Sequence, residues 1–246
     1  TWFDLAFLEL RRISWDSPAS LIEKLIRYEA VHDIRGWADV KNRLDSDRRC
    51  YGFFHPNVPD EPLIFIEVAF TQGLADSIVP LLDEGAAPVD PKSRSTAIFY
   101  SISNTQTGLR GVSFGDSLIK RVVETLRVEF PKLQHFATLS PIPGLRGWFG
   151  KNVAGLLDKL DDKERLELSQ ALGSAPLSTA SLLAALETPL ALPAASPVRQ
   201  MLLRCAAHYL AQGWSDGKPL DAVARFHLGN GARVERLNWG ADPSAK

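Results

Sequence analysis

Two side chains in this sequence are suited to proton transfer at neutral pH. Ser140 follows a β-type run at residues 136–139 and precedes a Pro-Ile-Pro-Gly turn, whose prolines stiffen the backbone. His227 stands in the run Ala-Arg-Phe-His-Leu, and an imidazole has a reference pKa near 6.5. A hydroxyl and an imidazole that act on the same substrate can carry out general acid–base catalysis.

Each of these side chains also has a purely structural interpretation. A serine before a proline commonly forms a turn in which the hydroxyl bonds to local backbone. His227 is predicted on a strand, with its side chain on the opposite face from Phe226 and Leu228, where a structural histidine would also fit. From the residues alone, both interpretations remain open.

A third feature, the loop at residues 110–116, joins a predicted strand to a predicted helix. Backbone N–H groups at a helix N-terminus, helped by an arginine, bind phosphate groups, and the loop differs from the P-loop pattern of ATP-binding proteins. The alternative is a plain strand–helix turn that needs glycine for its geometry, with Asp116 as the N-cap residue. The residues of the loop are Arg110, Gly111, Val112, Ser113, Phe114, Gly115 and Asp116.

The surrounding elements are predicted to form an α+β fold, a mixed sheet flanked by helices, with an inserted helical segment at about 150–197. The Asn-Gly pair at residues 230–231 predicts a closing β-hairpin that contains His227. The predicted strands are 7–13, 50–55, 63–70, 96–103, 136–140, 224–228 and 232–239. The predicted helices are 17–26 (Ser17 as N-cap), 29–44, 116–129 and the segment that starts at Ser196-Pro197.

Composition excludes several function classes. Of 246 residues, 45% are hydrophobic and 23% charged, as in globular proteins, and no apolar run reaches the ~20 residues of a membrane span. The net charge of −1 gives no field that favours nucleic acid or an anionic membrane, so neither is predicted as a partner. Cys50 and Cys205 lack metal-ligand spacing, which predicts no metal and two reduced thiols in a cytoplasmic protein. Because the chain starts at Thr1, we expect a piece of a longer protein.

Ten segments, in the same order along the chain, resemble malonyl-CoA decarboxylase. They include Leu-Ser-Pro-Ile-Pro-Gly at 139–144 and Ala-Arg-Phe-His-Leu at 224–228. The loop at 110–115 also resembles the Q/R-x-x-G-x-G/A loop of the GCN5-related N-acetyltransferase fold, with Ser113 in place of a glycine. The ten segments are 28–32, 54–56, 59–69, 99–106, 108–115, 118–123, 138–144, 222–228, 230–233 and 236–239.

The resemblance implies one catalytic domain over residues 1–246, with a GCN5-related N-acetyltransferase-like fold. It implies conversion of malonyl-CoA to acetyl-CoA and CO2 without a cofactor, with Ser140 and His227 as the catalytic pair and substrate contacts along 110–116. Ser140 would hydrogen-bond the malonyl group and donate a proton, and His227 would be its proton-accepting partner. The family's N-terminal helical domain, which forms a homo-oligomer, is expected to be absent here. Two alternatives are an acyl-CoA N-acyltransferase of the same fold and a non-catalytic CoA-binding module.

Overall fold

The computed structural model describes residues 5–106, 108, 114–173 and 176–244. The chain divides into two compact units, Thr1–Ser140 and Pro141–Lys246. The described part of the first unit combines a five-stranded sheet with helices, whereas that of the second is mainly helical.

The sheet of the first unit is mixed. Its strands are β1 (Glu9–Ile13), β2 (Arg48–His55), β3 (Val58–Thr71), β4 (Thr96–Asn104) and β5 (His135–Thr138). They lie in the order β1-β2-β3-β4-β5, antiparallel except for the parallel pair β4–β5. The mixed sheet and its flanking helices confirm the predicted α+β class.

Helices cover both faces of this sheet: α1 (Ala19–Tyr28), α2 (Trp37–Arg43) and α3 (Phe114–Glu129). Side chains alternate across a strand, so Ile64 and Ile66 of β3 pack in the core with α3, while Phe65 packs in a second core with α1 and α2. The predicted start of α1 is wrong, because Pro18 is the N-cap and the Ser17 hydroxyl accepts the Ser14 N–H at 3.1 Å.

The second unit contains α4 (Leu145–Leu157), α5 (Asp162–Ala171), α6 (Thr179–Ala185), α7 (Pro197–Gln212) and α8 (Ala222–Gly229), with short strands β6 (Trp214–Ser215) and β7 (Lys218–Pro219). Phe149, Val153 and Leu157 recur every four residues on α4, which places them on one face, and they pack against α5, α6 and α7. The helical character predicted for this region is confirmed. Among the described residues, no helix has the length and apolar character that crossing a membrane requires.

The predicted C-terminal hairpin is wrong. Residues 222–229 form α8, and residues 232–238 belong to no strand or helix. The Asp221 side chain caps the start of α8, and Gly231 has a φ of +84° at its end. The Ala232 N–H donates to the His227 carbonyl and the Gly231 N–H donates to the Leu228 carbonyl, which is the Schellman pattern of a helix C-terminus.

Both cysteines are free and buried. Cys50 lies in a hydrophobic core of the first unit, and Cys205 lies in the core of the second unit. Burial raises the pKa of Cys205 to about 11 and that of Cys50 well above its ordinary value. The reduced state of the two thiols stays a prediction.

Candidate active site

Ser140 lies just beyond the place where the two parallel strands separate. The β4–β5 pairing of described residues ends at Phe99↔Thr138, and the Leu139 N–H then donates to the Phe99 carbonyl at 3.1 Å. β4 continues for five more residues, to Asn104. Over this last stretch, the edge of β4 that faced β5 is no longer paired with it, and its backbone groups can bind a ligand.

A β-bulge explains why the strands separate here. Glu67 of β3 is paired with Ser101 of β4, but the next residue, Val68, is paired with Phe99. Tyr100 is therefore an extra residue in β4. A bulge bends its strand and increases the local twist, so β4 turns away from β5 at the residue after their last pair.

Ser140 itself is exposed to solvent and is the last residue of the first unit. β5 ends at Thr138, two residues earlier than predicted, so Ser140 stands on the segment after the strand. Pro141 and Pro143 follow, and each fixes its own φ near −65°. The hydroxyl is thus carried by a backbone with few soft torsions on its C-terminal side.

The predicted phosphate loop is described only in part, because Arg110, Gly111, Val112 and Ser113 lie outside the described residues. Phe114, Gly115 and Asp116 form the first turn of α3, where Phe114 and Gly115 are buried. Asp116 is therefore inside the helix, and its predicted role as N-cap is wrong. Its carboxylate accepts a hydrogen bond from the Lys120 ammonium at 2.8 Å, one turn later.

His227 lies in the last turn of α8, within the second unit. Its ring is half-buried and makes an edge-to-face contact with Phe226, with 4.9 Å between the ring centroids. Burial lowers the pKa of His227 below its ordinary value, because the charged imidazolium is less well solvated there. The ring is therefore mostly neutral at pH 7 and able to accept a proton.

Asp221, which sequence reasoning did not identify, joins two segments of the second unit. Its side chain is buried, and its Oδ1 accepts the N–H groups of Val223 and Ala224, each at 3.0 Å. Its Oδ2 accepts the N–H of Gly144 at 2.9 Å. An aspartate before the run Ala-Val-Ala-Arg is an N-cap signal, but the Asn-Gly pair at residues 230–231 favours a hairpin that includes the same run.

A cleft of about 480 Å³ opens beside Gly144 in the second unit. Its wall includes Tyr209, whose hydroxyl lies so close to Gly144 that a Cβ there would collide with it. Burial and the nearby Asp221 carboxylate raise the pKa of Tyr209. The lining residues are Gly144, Gly147, Trp148, Lys151, Asn152, Tyr209 and Leu220.

The sheet of the first unit, with an exposed serine beyond its parallel strand pair, defines an α+β domain in which β4, among the described residues, is not paired with β5 beyond Phe99. The crossover through α3 agrees with the GCN5-related N-acetyltransferase-like fold that the resemblance implies. Residues 6–246 match the family model of the malonyl-CoA decarboxylase C-terminal domain. The chain belongs to this family.

Named relatives agree with this assignment. Mitochondrial malonyl-CoA decarboxylase from Rattus norvegicus is 40% identical over an alignment of 256 positions, which covers 100% of this chain and 52% of that protein. The crystal structure of malonyl-CoA decarboxylase from Cupriavidus metallidurans has a TM-score of 0.81 and 51% identity, over 99% of this chain and 58% of that one. The corresponding structure from Rhodopseudomonas palustris has a TM-score of 0.79 and 46% identity, over 99% of this chain and 57% of that one. The chain thus spans about half the length of the curated relatives it matches.

Proposed function

We propose that this protein decarboxylates malonyl-CoA to acetyl-CoA and CO2, with Ser140 and His227 acting on the malonyl group. The observation that carries the proposal is the family match over residues 6–246, since the relatives at 38–51% identity are named malonyl-CoA decarboxylases. We further propose that the two units serve as one catalytic domain.

The reaction breaks the bond between the malonyl carboxylate and the neighbouring carbon. The electron pair of that bond moves into the thioester to form an enolate, CO2 leaves, and a proton added to the carbon gives acetyl-CoA. The thioester is itself the electron sink. The protein must therefore stabilise the enolate oxygen, limit water at the carboxylate and deliver one proton.

Ser140 is proposed to hydrogen-bond the malonyl group and to give its hydroxyl proton to the carbon. Its exposed position on a segment stiffened by prolines supports this role, because a restrained donor loses little entropy when substrate binds. His227, a neutral imidazole, is proposed to hold the substrate, to accept a proton from solvent and to pass that proton to the Ser140 oxygen, which restores the hydroxyl. The proton that the reaction consumes then comes from solvent.

The edge of β4 beyond Phe99, where its pairing with β5 has ended among the described residues, is proposed to hold the pantetheine arm of coenzyme A. This arm contains two amide groups, and an amide can hydrogen-bond to a strand edge as a neighbouring strand would. The edge of β4 beyond Phe99 leads towards Ser140 on the adjacent segment. The loop at residues 110–116 is proposed to bind the pyrophosphate at the N-terminus of α3.

The test is CO2 release from malonyl-CoA by the full-length chain and by Ser140→Ala and His227→Ala variants. Loss of a proton donor or acceptor lowers turnover by about 10²–10⁴-fold, and we expect this loss with unchanged circular dichroism. Ser196→Ala is a matched control, because Ser196 also precedes a proline and makes no side-chain cap hydrogen bond. His208→Ala, a half-buried histidine on α7, is the second control.

Near-normal turnover in both Ser140→Ala and His227→Ala would rule out the proposed pair. The same assay separates the alternative functions. CO2 release without an added amine supports the decarboxylase over an acyl-CoA N-acyltransferase. Binding of acetyl-CoA without turnover of malonyl-CoA by the full-length protein would instead indicate a CoA-binding module.

We also propose that the full-length protein is a homo-oligomer that assembles through an N-terminal helical domain, and that it is cytoplasmic. The curated relatives are named as mitochondrial proteins, so fractionation of cells that express the full-length chain is needed for the compartment. Light scattering of the full-length chain and of residues 1–246 tests the assembly. An equal oligomeric state for both would contradict it.

A further inference from the structure

We infer that Asp221 is a positioning residue for the decarboxylation, which ties the backbone after Ser140 to the helix that carries His227. The inference rests on the proposed function, because it concerns the same two side chains. Asp221 does not touch the malonyl group in this scheme. It acts through the two segments that its carboxylate joins.

The carboxylate divides its two oxygens between these segments. Oδ1 accepts the Val223 and Ala224 amides at 3.0 Å, which fixes the first turn of α8, and His227 follows in the same helix. Oδ2 accepts the Gly144 amide at 2.9 Å. Hydrogen bonds from N–H groups to a carboxylate are stronger than those between neutral groups, and here all three lie at a buried side chain.

Helix capping alone does not require this arrangement. Asp161 caps α5 by accepting one amide, that of Glu164 at 2.8 Å, and it is exposed to solvent. Asp221 is only 3% exposed and accepts an additional amide from a segment 77 residues earlier in the chain. The second contact is therefore a feature that the capping role leaves unexplained.

The Gly144 contact restrains Ser140 because the intervening backbone is stiff. Only Pro141, Ile142 and Pro143 separate the two residues, and both prolines have a fixed φ. Few torsions remain that could move Ser140 once the Gly144 amide is held. A displacement of about 1 Å at a reacting group can lower a rate by about 10²-fold, so loss of this contact is expected to appear in turnover.

The test variant is Asp221→Asn in the full-length chain, assayed for CO2 release from malonyl-CoA. The amide oxygen can still cap α8, but the NH2 group then faces the Gly144 N–H, which sets one donor against another. We expect kcat to fall by about 10–100-fold and KM to change by less than about threefold, as for loss of an interaction made in the transition state. Asp221→Ser, which keeps a capping hydroxyl and is too short to reach Gly144, should behave in the same way.

Asp161→Asn is the matched control, since it makes the same substitution at an N-cap that lacks a second contact. It should leave kcat unchanged. The double variant Asp221→Asn/Ser140→Ala should be no slower than Ser140→Ala alone, because Asp221→Asn acts through the Gly144 contact on Ser140 and residues that act as a unit are not additive. A purely structural role would instead slow the double variant further.

The outcomes separate this inference from the proposed function. An unmodified full-length protein that releases no CO2 refutes the proposed function. An active protein whose Asp221→Asn and Asp221→Ser variants keep the kcat of Asp161→Asn overturns the role of Asp221. Turnover is measured below the melting temperature of each variant, so that reduced stability is not read as reduced catalysis.

Discussion

The two units bury charged side chains in different ways. In the first unit, Asp39, Arg43 and Glu67 are each at most 2% exposed and are joined to one another by hydrogen bonds. Arg43 donates to Asp39 Oδ1 at 2.7 Å and to Glu67 Oε2 at 3.0 Å. In the second unit, the buried Asp221 accepts backbone amides from two separate segments. The first arrangement centres on contacts between side chains, although Asp39 also accepts the Arg35 N–H at 3.0 Å, whereas the second binds backbone amides.

This difference predicts different consequences of substitution. Removing one member of a buried charge cluster leaves its partners without compensation, so the effect falls on the free energy of unfolding. Removing a carboxylate that joins two segments leaves no charge behind. The substitution instead changes the positions of the residues on those two segments, and His227 is one of these residues.

The largest expected effect on stability is that of Arg43→Met. Asp39 and Glu67 would then share a buried site without a cation, and breaking such a pair destabilises by about 3–5 kcal/mol. Urea denaturation measures this loss directly. Arg146→Met is the control, because Arg146 pairs with Glu187 on the surface and an exposed pair contributes about 0–1 kcal/mol. Equal losses in the two variants would contradict the comparison.

Sequence alone predicted the first unit better than the end of the second. The runs that became β3 and β4 are rich in β-branched and aromatic residues, and the α3 segment has apolar residues at helical spacing. These local signals agree with the final packing. The bulge at Tyr100 could not be predicted, because it depends on how β4 is paired with β3 and β5.

The error at the C-terminus has a physical cause. Gly231 adopts φ of +84°, and a positive φ is needed both in a type I′ hairpin turn and at the C-terminus of a helix. The pair Asn230-Gly231 therefore fits both structures. What decides between them is the cap at Asp221, where the Gly144 amide adds a partner that is distant in sequence. Ser140 was identified through its motif, but no local pattern could reveal that contact.

A smaller effect is expected for Gly144→Ala, which tests the second unit. The added Cβ would collide with the Tyr209 hydroxyl and lie 3.1 Å from Asp221 Oδ2. Overpacking of this kind destabilises by about 1–3 kcal/mol, and the displaced Gly144 amide should also lower kcat for CO2 release. Thermal denaturation and the CO2 assay measure the two effects.

Two further variants identify the cause of the Gly144→Ala defect. Tyr209→Phe removes the hydroxyl, so the double variant should regain part of the lost stability. Gly147→Ala adds a methyl group to the same cleft, in helix α4, where a Cβ meets nothing within 4 Å. It should be neutral or stabilising by up to about 1 kcal/mol. A defect in Gly147→Ala as large as that in Gly144→Ala would remove the steric explanation.

The last expected effect is a pH dependence of stability that has opposite signs in the two units. Burial, and then the nearby Glu29 carboxylate, raise the pKa of Glu67 from 4.5 to about 8 despite the attraction of Arg43. Hydrogen bonds from Arg43 and Tyr100 favour the charged form of Glu67, but burial outweighs them. The folded state thus keeps a proton that the unfolded state loses above pH 4.5, so this contribution to stability falls as pH rises towards 8.

Glu67→Gln should remove this decrease of the free energy of unfolding with rising pH, which is at most about 1.4 kcal/mol per pH unit for one proton. Urea denaturation between pH 5 and 8 should show the variant gaining stability relative to the unmodified protein as pH rises. His227 has a lowered pKa, so the folded state binds its proton less readily than the unfolded state, and its contribution is instead lost as pH falls through the ordinary histidine range. His227→Ala should therefore gain relative stability towards acid pH. Parallel curves for Glu67→Gln and the unmodified protein would show that Arg43 keeps Glu67 charged, and that the buried cluster of the first unit is fully ionised.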